Sequence, residues 1–380
     1  MLTIRTIRTE GVQVNRRGDW IFVVLETEEG LTGIGEASHS GNDRSVCGNV
    51  ASLAEDLVGK DPTNINWLRR ARGRYGKDRI TNTALSAIEQ AAQDVRAQAA
   101  GMSLARLWGG KIRDRVLLYA NINRHVEDRS SASFAKAAET AAAEGFQMIK
   151  LAPFDEVKPP NRRRSADEAN WQPGVERVRA VRDAVGPGMR VAVDCHSRFA
   201  LSESFLVAAA LEPLDLYWFE EPLPVSNLKG LHEVRSGIRQ WLATAESLFG
   251  AESFHHLLEA GAADVVMPDV KHAGGDQETL LVGELATLHG VKFAPHNPSG
   301  PVASMHSGHV CAAASGFDVL EFAWGEVPWR AELLDPPEQI EDGCLIVSDR
   351  PGLGHTLNAK TMRRFWLAEP GTRDSSKAEV

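Results

Sequence analysis

Three acidic residues stand at the ends of three successive strand-like runs: Asp194 in Val-Ala-Val-Asp, Glu220 in Tyr-Trp-Phe-Glu and Glu246 in Leu-Ala-Thr-Ala-Glu, with spacings of 220 − 194 = 26 and 246 − 220 = 26. That is the length of one strand-plus-helix unit. In a parallel barrel the ends of neighbouring strands lie side by side on one face, so carboxylates distant in sequence converge. Convergent carboxylates repel one another unless a cation sits among them. An all-oxygen set without Cys or His suits a hard cation, and Mg2+ accepts a few carboxylates while leaving positions for water and substrate.

A second pair keeps the same interval. Asp269 in Met-Pro-Asp and His296 in Ala-Pro-His are separated by 296 − 269 = 27 residues. A carboxylate on the neighbouring strand end can accept the imidazole N–H, fix its tautomer and raise its basicity, which makes His296 a general base and Asp269 its orienter. His196 follows Asp194 by two positions, so strand alternation puts it on the same side. It could give a proton to a leaving group beside the metal, or support a metal-bound carboxylate by a hydrogen bond. Arg198 is either a substrate contact or an ion-pair residue of the barrel rim. Lys150 ends Met-Ile-Lys, where an interior lysine is costly unless paired or used; it could neutralise a substrate carboxylate or serve a structural ion pair. Glu321 in Val-Leu-Glu-Phe faces the same way and, if protonated, could hydrogen-bond an enolate oxygen, or it serves a structural ion pair. Lys271, two residues after Asp269, has the same inward phase and is a third basic group.

Such a constellation needs a frame. Eight apolar runs alternate with amphipathic helical stretches: Val116 to Ile122, Gln147 to Ala152, Arg190 to Cys195, Leu216 to Glu221, Trp241 to Glu246, Asp264 to Val270, Lys292 to Asn297 and Val319 to Ala323. That count favours a closed parallel barrel. Ahead of it, alternating runs at Ile21 to Glu26 and Leu31 to Ala37 flank the turn Glu28-Glu29-Gly30, and Thr83 to Ala100 is Ala-rich with helical spacing, the pattern of an α+β domain. The expected division is 1–112 for that domain, 113–335 for the barrel and 336–380 for a closing segment of turns and a strand that rejoins the first domain. The stretch 153–171 carries Pro159-Pro160 and Arg162-Arg163-Arg164 with no helical period. It leaves the functional end of a barrel strand, either as a specificity loop or as a solvated insertion.

Composition fits a metabolic protein. The 380 residues exceed one compact domain and hold 43% hydrophobic residues, while the net charge of −9 and the scattered basic residues argue against nucleic acid or an anionic membrane as partner. Four distant cysteines form no Cys-x-x-Cys pair, the N-terminus lacks a signal-peptide core, and no run spans a bilayer, so a cytoplasmic location is expected. Neither a dinucleotide fingerprint nor a nucleophile-turn motif is present.

With these residues placed, the chain resembles the enolase superfamily, and within it the mandelate racemase subgroup, over nearly its whole length. The resemblance implies a modified TIM barrel of the (β/α)7β type with an N-terminal capping domain. It implies Asp194, Glu220 and Glu246 as Mg2+ ligands, Asp269 and His296 as acid/base dyad and Glu321 as electrophilic partner, the superfamily pattern being a Lys or His base with Mg2+ stabilising an ene-diolate. Members often carry Lys-x-Lys at the second strand, with the second Lys as base on the opposite face; here the residues are Lys150-Leu151-Ala152, and Ala152 moves no proton. Asp194-Cys195-His196-Ser197-Arg198 resembles the Asp-x-His-x-Arg of galactonate, gluconate and mannonate dehydratases, whose matching His expels the β-hydroxyl. The expected activity is therefore removal of the proton α to a carboxylate and loss of water from a sugar acid, giving a 2-keto-3-deoxy acid. The alternatives are a racemase, epimerase or cycloisomerase using Lys150 or Lys271 with His296, and, remotely, a noncatalytic metal-retaining barrel. Expected partners are a small carboxylate substrate and further copies of the chain, from dimer to octamer. Arg16, Trp20 and His39 are candidate substrate contacts from the first domain.

Overall fold

The computed structural model describes residues 2–15, 18–123, 126–160, 165 and 167–370. Three antiparallel strands open the chain in a meander, β1 (Ile4–Asn15), β2 (Gly18–Thr27) and β3 (Thr32–Glu36), followed by helices α1 (Asp43–Leu57), α2 (Asn66–Tyr75) and α3 (Arg79–Ala99). The alanine content of α3 lets it lie directly on the sheet, and Gly33 and Gly35 let the sheet receive it. A Cβ at these glycines would stand 2.0 Å from the Ala91 carbonyl and 2.1 Å from that of Ala87. The outer edge of β3 is not left open: Asp94 and Gln90 of α3 accept the N–H groups of Ile34 (3.1 Å) and Glu36 (3.0 Å). Alternation from Ile4 onward already marks β1 in the sequence, where the reading began the sheet only at Ile21.

After α4 (Leu104–Leu107) come eight parallel strands and seven helices in strict alternation: β4 (Arg115–Asn121), α5 (Ser131–Ala143), β5 (Met148–Leu151), α6 (Gln172–Val185), β6 (Arg190–Asp194), α7 (Leu201–Leu211), β7 (Trp218–Glu220), α8 (Leu228–Gly237), β8 (Trp241–Thr244), α9 (Ala251–Glu259), β9 (Val265–Val266), α10 (Asp276–Leu288), β10 (Lys292–Phe293), α11 (Pro301–Ala313) and β11 (Leu320–Phe322). Neighbours in sequence are neighbours in the sheet from β4 to β10, and β11 returns to pair with β4. The last seam closes where the Asp318 N–H donates to the Phe293 carbonyl (2.9 Å) and that of Glu321 to Pro295 (3.2 Å). The fold is a (β/α)7β barrel. Its floor is filled by interior side chains, among them Tyr119 edge-on to Trp218 at 5.4 Å, so the functional groups can open only toward the C-terminal strand ends.

The closing segment contains β12 (Leu334–Asp335), β13 (Ile340–Glu341), β14 (Cys344–Ile346), β15 (Thr356–Leu357) and α12 (Ala359–Arg364). It behaves less simply than expected. Its strand β14 pairs antiparallel with the start of β4, in the barrel rather than the first domain. Return to the first domain comes later, through the Leu353 N–H on Asp94 (2.8 Å) and the Leu367 N–H on the Gly11 carbonyl (3.1 Å).

The first domain sits on the two connections after β9 and β10. The Glu36 carboxylate accepts the N–H groups of Gly300 (2.7 Å) and Ala303 (2.8 Å) at the start of α11, and Glu89 accepts that of Asp276 (2.7 Å) at the start of α10. Both helices have glycine at the N-cap and no side-chain cap of their own, so carboxylates from the other domain satisfy N–H groups that would otherwise be orphaned. Among the described residues no helix is long and apolar enough to cross a membrane.

Candidate active site

Asp194 and Glu220 are the last residues of β6 and β7 and face each other across the ladder. Beyond β8, the left-handed Ala245 (φ 92°) turns the chain so that Glu246 reaches the same side. One oxygen from each carboxylate lies within 4.8 Å of the other two. Glu221, of opposite phase, is turned away at φ 38° and braces the strand end instead, accepting the Ala245 N–H at 3.1 Å; burial, then Glu246 and Asp194, push its carboxyl up to about 8.

The charge balance of the set calls for a cation. Burial and the neighbouring Asp194 push the Glu220 carboxyl well above the ordinary range, against the pull of Lys150. The oxygens are also held from below: Lys150 Nζ lies 2.9 Å from Glu220 Oε1, and the Trp218 indole N–H donates to Glu220 Oε2 at 2.9 Å. Such outer support fixes ligand oxygens for an ion above them. Three hard oxygen donors, one partly open to solvent at Glu246 (side chain 19% exposed), fit a small divalent cation with positions left for water or substrate.

Two histidines flank the carboxylates in the same manner. His296 places Nδ1 2.8 Å from Asp269 Oδ2 and Nε2 3.1 Å from Glu246 Oε2. His196 places Nδ1 2.6 Å from Asp155 Oδ1 and Nε2 3.1 Å from Asp194 Oδ2. The expected 27-residue pair is thus in contact. His196 arrives differently from the expectation: β6 has ended at Asp194, and His196 and Ser197 occupy a turn with φ of 46° and 58°, so it reaches the carboxylates by a left-handed turn and not by strand alternation. For side-chain-bearing residues that backbone costs roughly 1–2 kcal/mol each. It is held by the His196 N–H on Asp194 Oδ1 (3.0 Å) and the Ser197 N–H on the Glu221 carbonyl (2.7 Å).

The other candidates divide. Lys150 is buried among carboxylates, 3.3 Å from Glu321 and 3.6 Å from Asp194 besides Glu220, and these charges hold it cationic against its burial. Glu321 takes the ion-pair alternative, 3.3 Å from Lys150: burial raises its carboxyl, but Lys150 and His296, with the Asn121 amide (2.7 Å) and the Asn297 N–H (3.0 Å) each donating to one of its oxygens, bring it down to about 2. Lys271 does not line the site either: it is fully buried behind the dyad, with Nζ 2.6 Å from Asp269 Oδ2 and bonded to Ser299 Oγ. Inward phase was right; the chain folds over it. Arg198 turns toward the Val157 carbonyl (3.4 Å). Trp20 is wholly buried against Gly300 and edge-on to Trp329 (5.2 Å), and so packs the seam between the domains and presents no surface to a ligand. His39 Nε2 stands 3.9 Å from Glu326. Arg16 lies outside the described residues.

Sequence reasoning missed two members. Asp155, in the stretch taken as a loop, was signalled only by carboxylates immediately past a strand end. Trp218 is two positions before Glu220 on one strand, hence on the same side.

The chain is similar to known proteins in both of its parts. Residues 133–361 match the enolase C-terminal domain-like family, and residues 7–109 match the mandelate racemase / muconate lactonizing enzyme N-terminal domain. A protein named D-xylonate dehydratase from Haloferax volcanii is 30% identical over 360 residues, 89% of this chain and 83% of its own length. One named D-galactonate dehydratase from Xanthomonas campestris pv. campestris is 32% identical over 354 residues, 91% of this chain and 90% of its own. The crystal structure of a mandelate racemase/muconate lactonizing enzyme-like protein from Rubrobacter xylanophilus superposes with a TM-score of 0.88 at 32% identity, covering 97% of this chain and 98% of that one. With both halves matched and the barrel and its carboxylates in place, this chain is an enzyme of the mandelate racemase/muconate lactonizing enzyme family within the enolase superfamily.

Proposed function

We propose that the protein is a Mg2+-dependent dehydratase of sugar acids, removing the proton α to the carboxylate and expelling the β-hydroxyl as water. The observation that carries this is the pair of histidines, one on each side of the carboxylate set, each with Nδ1 on an aspartate and Nε2 on the nearest carboxylate of the set, Glu246 for His296 and Asp194 for His196. A base and an acid on the two flanks of one substrate are what elimination requires. The names of the relatives, D-xylonate and D-galactonate dehydratase, point to the same class.

A proton α to a carboxylate is only weakly acidic, and a divalent cation held by Asp194, Glu220 and Glu246 supplies the Lewis-acid stabilisation of charge developing on that carboxylate. His296 takes the C2 proton on Nε2, while Asp269 holds Nδ1–H and stabilises the imidazolium that forms. Lys150, kept cationic by Glu220, Glu321 and Asp194, adds positive potential beneath the carboxylates. The electron pair of the C2–H bond first moves onto the substrate carboxylate; it then returns to form the C2–C3 double bond as the C3–O bond breaks, and His196 Nε2 gives the departing hydroxyl its proton, so that one water leaves. The resulting enol takes a proton at C3 and becomes the 2-keto-3-deoxy acid.

Epimerisation would need a second base on the opposite face. Ala152 offers none, and Lys150 and Lys271 are both tied into buried ion pairs, which favours elimination. The division into 1–112, 113–335 and 336–380, a homo-oligomeric assembly and a reducing cytoplasm, in keeping with four free cysteines, belong to the same proposal. Proton NMR of the Mg2+-loaded enzyme in D2O with a library of aldonic and aldaric acids tests it: a 2-keto-3-deoxy product that disappears in His296→Asn is expected. Deuterium entering C2 without elimination in the unmodified enzyme would overturn it in favour of epimerisation.

A further inference from the structure

The proposed reaction assigns the proton donor to His196 but leaves open what makes one nitrogen of that ring the donor. The connection after β5 supplies a partner. The chain leaves Leu151 and turns through Ala152-Pro153-Phe154-Asp155, and this turn is fastened at several points. Phe154 is buried, 5.1 Å and edge-on to Phe199 of the very connection that carries His196. Arg129 Nη2 donates to the Ala152 carbonyl (2.7 Å), and Arg177 Nη1 to that of Pro153 (2.7 Å). Asp155 is therefore delivered by a tethered backbone. One of its oxygens is 2.6 Å from His196 Nδ1, and the other is 3.5 Å from Arg129 Nη1.

The geometry on the far side of the ring matters equally. His196 Nε2 is 3.1 Å from Asp194 Oδ2, at the edge of the carboxylate set. The ring is thus stretched between two carboxylates, with Nδ1 against Asp155 and Nε2 against Asp194, at the edge of the set where a substrate would sit. The side chain is 40% exposed and packing alone does not fix its rotation. An imidazole without a partner at Nδ1 could carry its single neutral-state proton on either nitrogen and rotate about χ2.

We propose that Asp155 is a positioning residue for the general acid: it holds His196 by Nδ1 so that Nε2 faces the leaving hydroxyl. This rests on the dehydratase reading above. In chemical terms Asp155 receives no proton from the substrate and forms no bond with it; it fixes which nitrogen gives up its proton and where that nitrogen points. The enzyme then has two aspartate–histidine pairs, one for each proton movement of the elimination.

Three measurements on Asp155→Asn and Asp155→Ala, with His196→Asn for comparison, decide the matter. First, with a sugar acid turned over by the unmodified enzyme, elimination is expected to fall by roughly 10–100-fold, the usual cost of losing an outer partner of a functional side chain, while His296-dependent entry of solvent deuterium at C2 persists. Second, a 3-deoxy-3-fluoro analogue, whose fluoride needs little help from an acid to depart, is expected to restore the variants toward the unmodified rate. A parallel loss of exchange and elimination, or loss with the fluoro analogue as well, would show a tether of the loop and overturn the proposal, as would unchanged elimination. Third, 1H–15N spectra of the histidine rings in the Mg2+-loaded protein need no substrate: the Nδ1–H signal of His196 is expected in the unmodified protein and is expected to vanish in Asp155→Ala, which leaves Nδ1 no acceptor. If no sugar acid is turned over, the dehydratase reading fails, and the ring spectrum still decides whether Asp155 orients His196, an unchanged signal in the variant refuting it.

Discussion

The two aspartate–histidine pairs share one wiring diagram and live in opposite surroundings. Asp269 is fully buried and His296 nearly so at 11% side-chain exposure, whereas Asp155 and His196 are 29% and 40% exposed. Behind Asp269 lies a second cation, Lys271 at 2.6 Å; beside Asp155 lies Arg129 at 3.5 Å on the loop side. Burial works against the Asp269 carboxylate, yet Lys271 and His272, with His296, hold it well below its usual range. At the other pair the dominant influence runs the other way: Asp194, opposed by burial and helped by Asp155, holds His196 well above the usual imidazole range. Identical hydrogen-bond patterns thus suit different tasks. Both rings stand between two carboxylates; what differs is that the aspartate of His296 also holds a buried lysine, while that of His196 is partly open to solvent.

The contrast breaks most visibly in stability. Asp269→Ala would leave Lys271 and His296 buried without their anion, and loss of about 3–5 kcal/mol is expected, read by thermal or urea unfolding alongside loss of turnover. Asp155→Ala, in a solvent-screened pair, should stay within about 1 kcal/mol of the unmodified protein. Equal losses would mean that exposure does not separate the two pairs.

A third pair sharpens the comparison because it does no chemistry. His306 donates from Nδ1 to Asp276 (2.8 Å) and from Nε2 to the Ile34 carbonyl (2.9 Å), bonding both nitrogens and thereby favouring the imidazolium. Burial opposes that charge, but Asp276 and the Ile34 carbonyl raise the group to about 8. A folded-state value above the unfolded 6.5 means that the contribution, about 2 kcal/mol, is fully present below pH 6.5 and is lost as the pH rises through about 8. His306→Gln should flatten the unfolding free energy over that window, and a wild-type profile rising with pH there would contradict the assignment.

The smallest effect is expected at Arg129→Lys. The lysine keeps a charge near Asp155 but cannot at once reach the Ala152 carbonyl and Glu156 as the guanidinium does. Stability should change by less than about 1 kcal/mol, with a modest fall in elimination and none in C2 exchange. An effect on exchange would tie the exposed pair to the buried one.

These pairs also show where sequence stops being informative. Asp194, Glu220, Glu246, Asp269 and His296 could be found because each is fixed to a strand end, and the barrel repeats its unit at nearly constant length. Asp155 belongs to a connection whose path is set by Phe154, Arg129 and Arg177, contacts that no periodicity announces. Lys271 had the correct phase, but β9 is only two residues long, and Ser299, on the connection after β10, covers the ammonium. Trp20 was open to reading as a substrate contact because its burial is created by Gly300 and Trp329, far along the chain.

Glu36 and Glu89 give the architecture a further meaning. Each closes the open end of a helix that belongs to the other domain, and those helices end the connections bearing Asp269 and His296. Cap and barrel are therefore poor candidates for interchangeable modules. A barrel made without its cap would expose two unfinished helix ends directly behind the Asp269–His296 pair, and a recombinant cap borrowed from a relative would have to bring an acceptor to both places before any choice of substrate could be transferred with it.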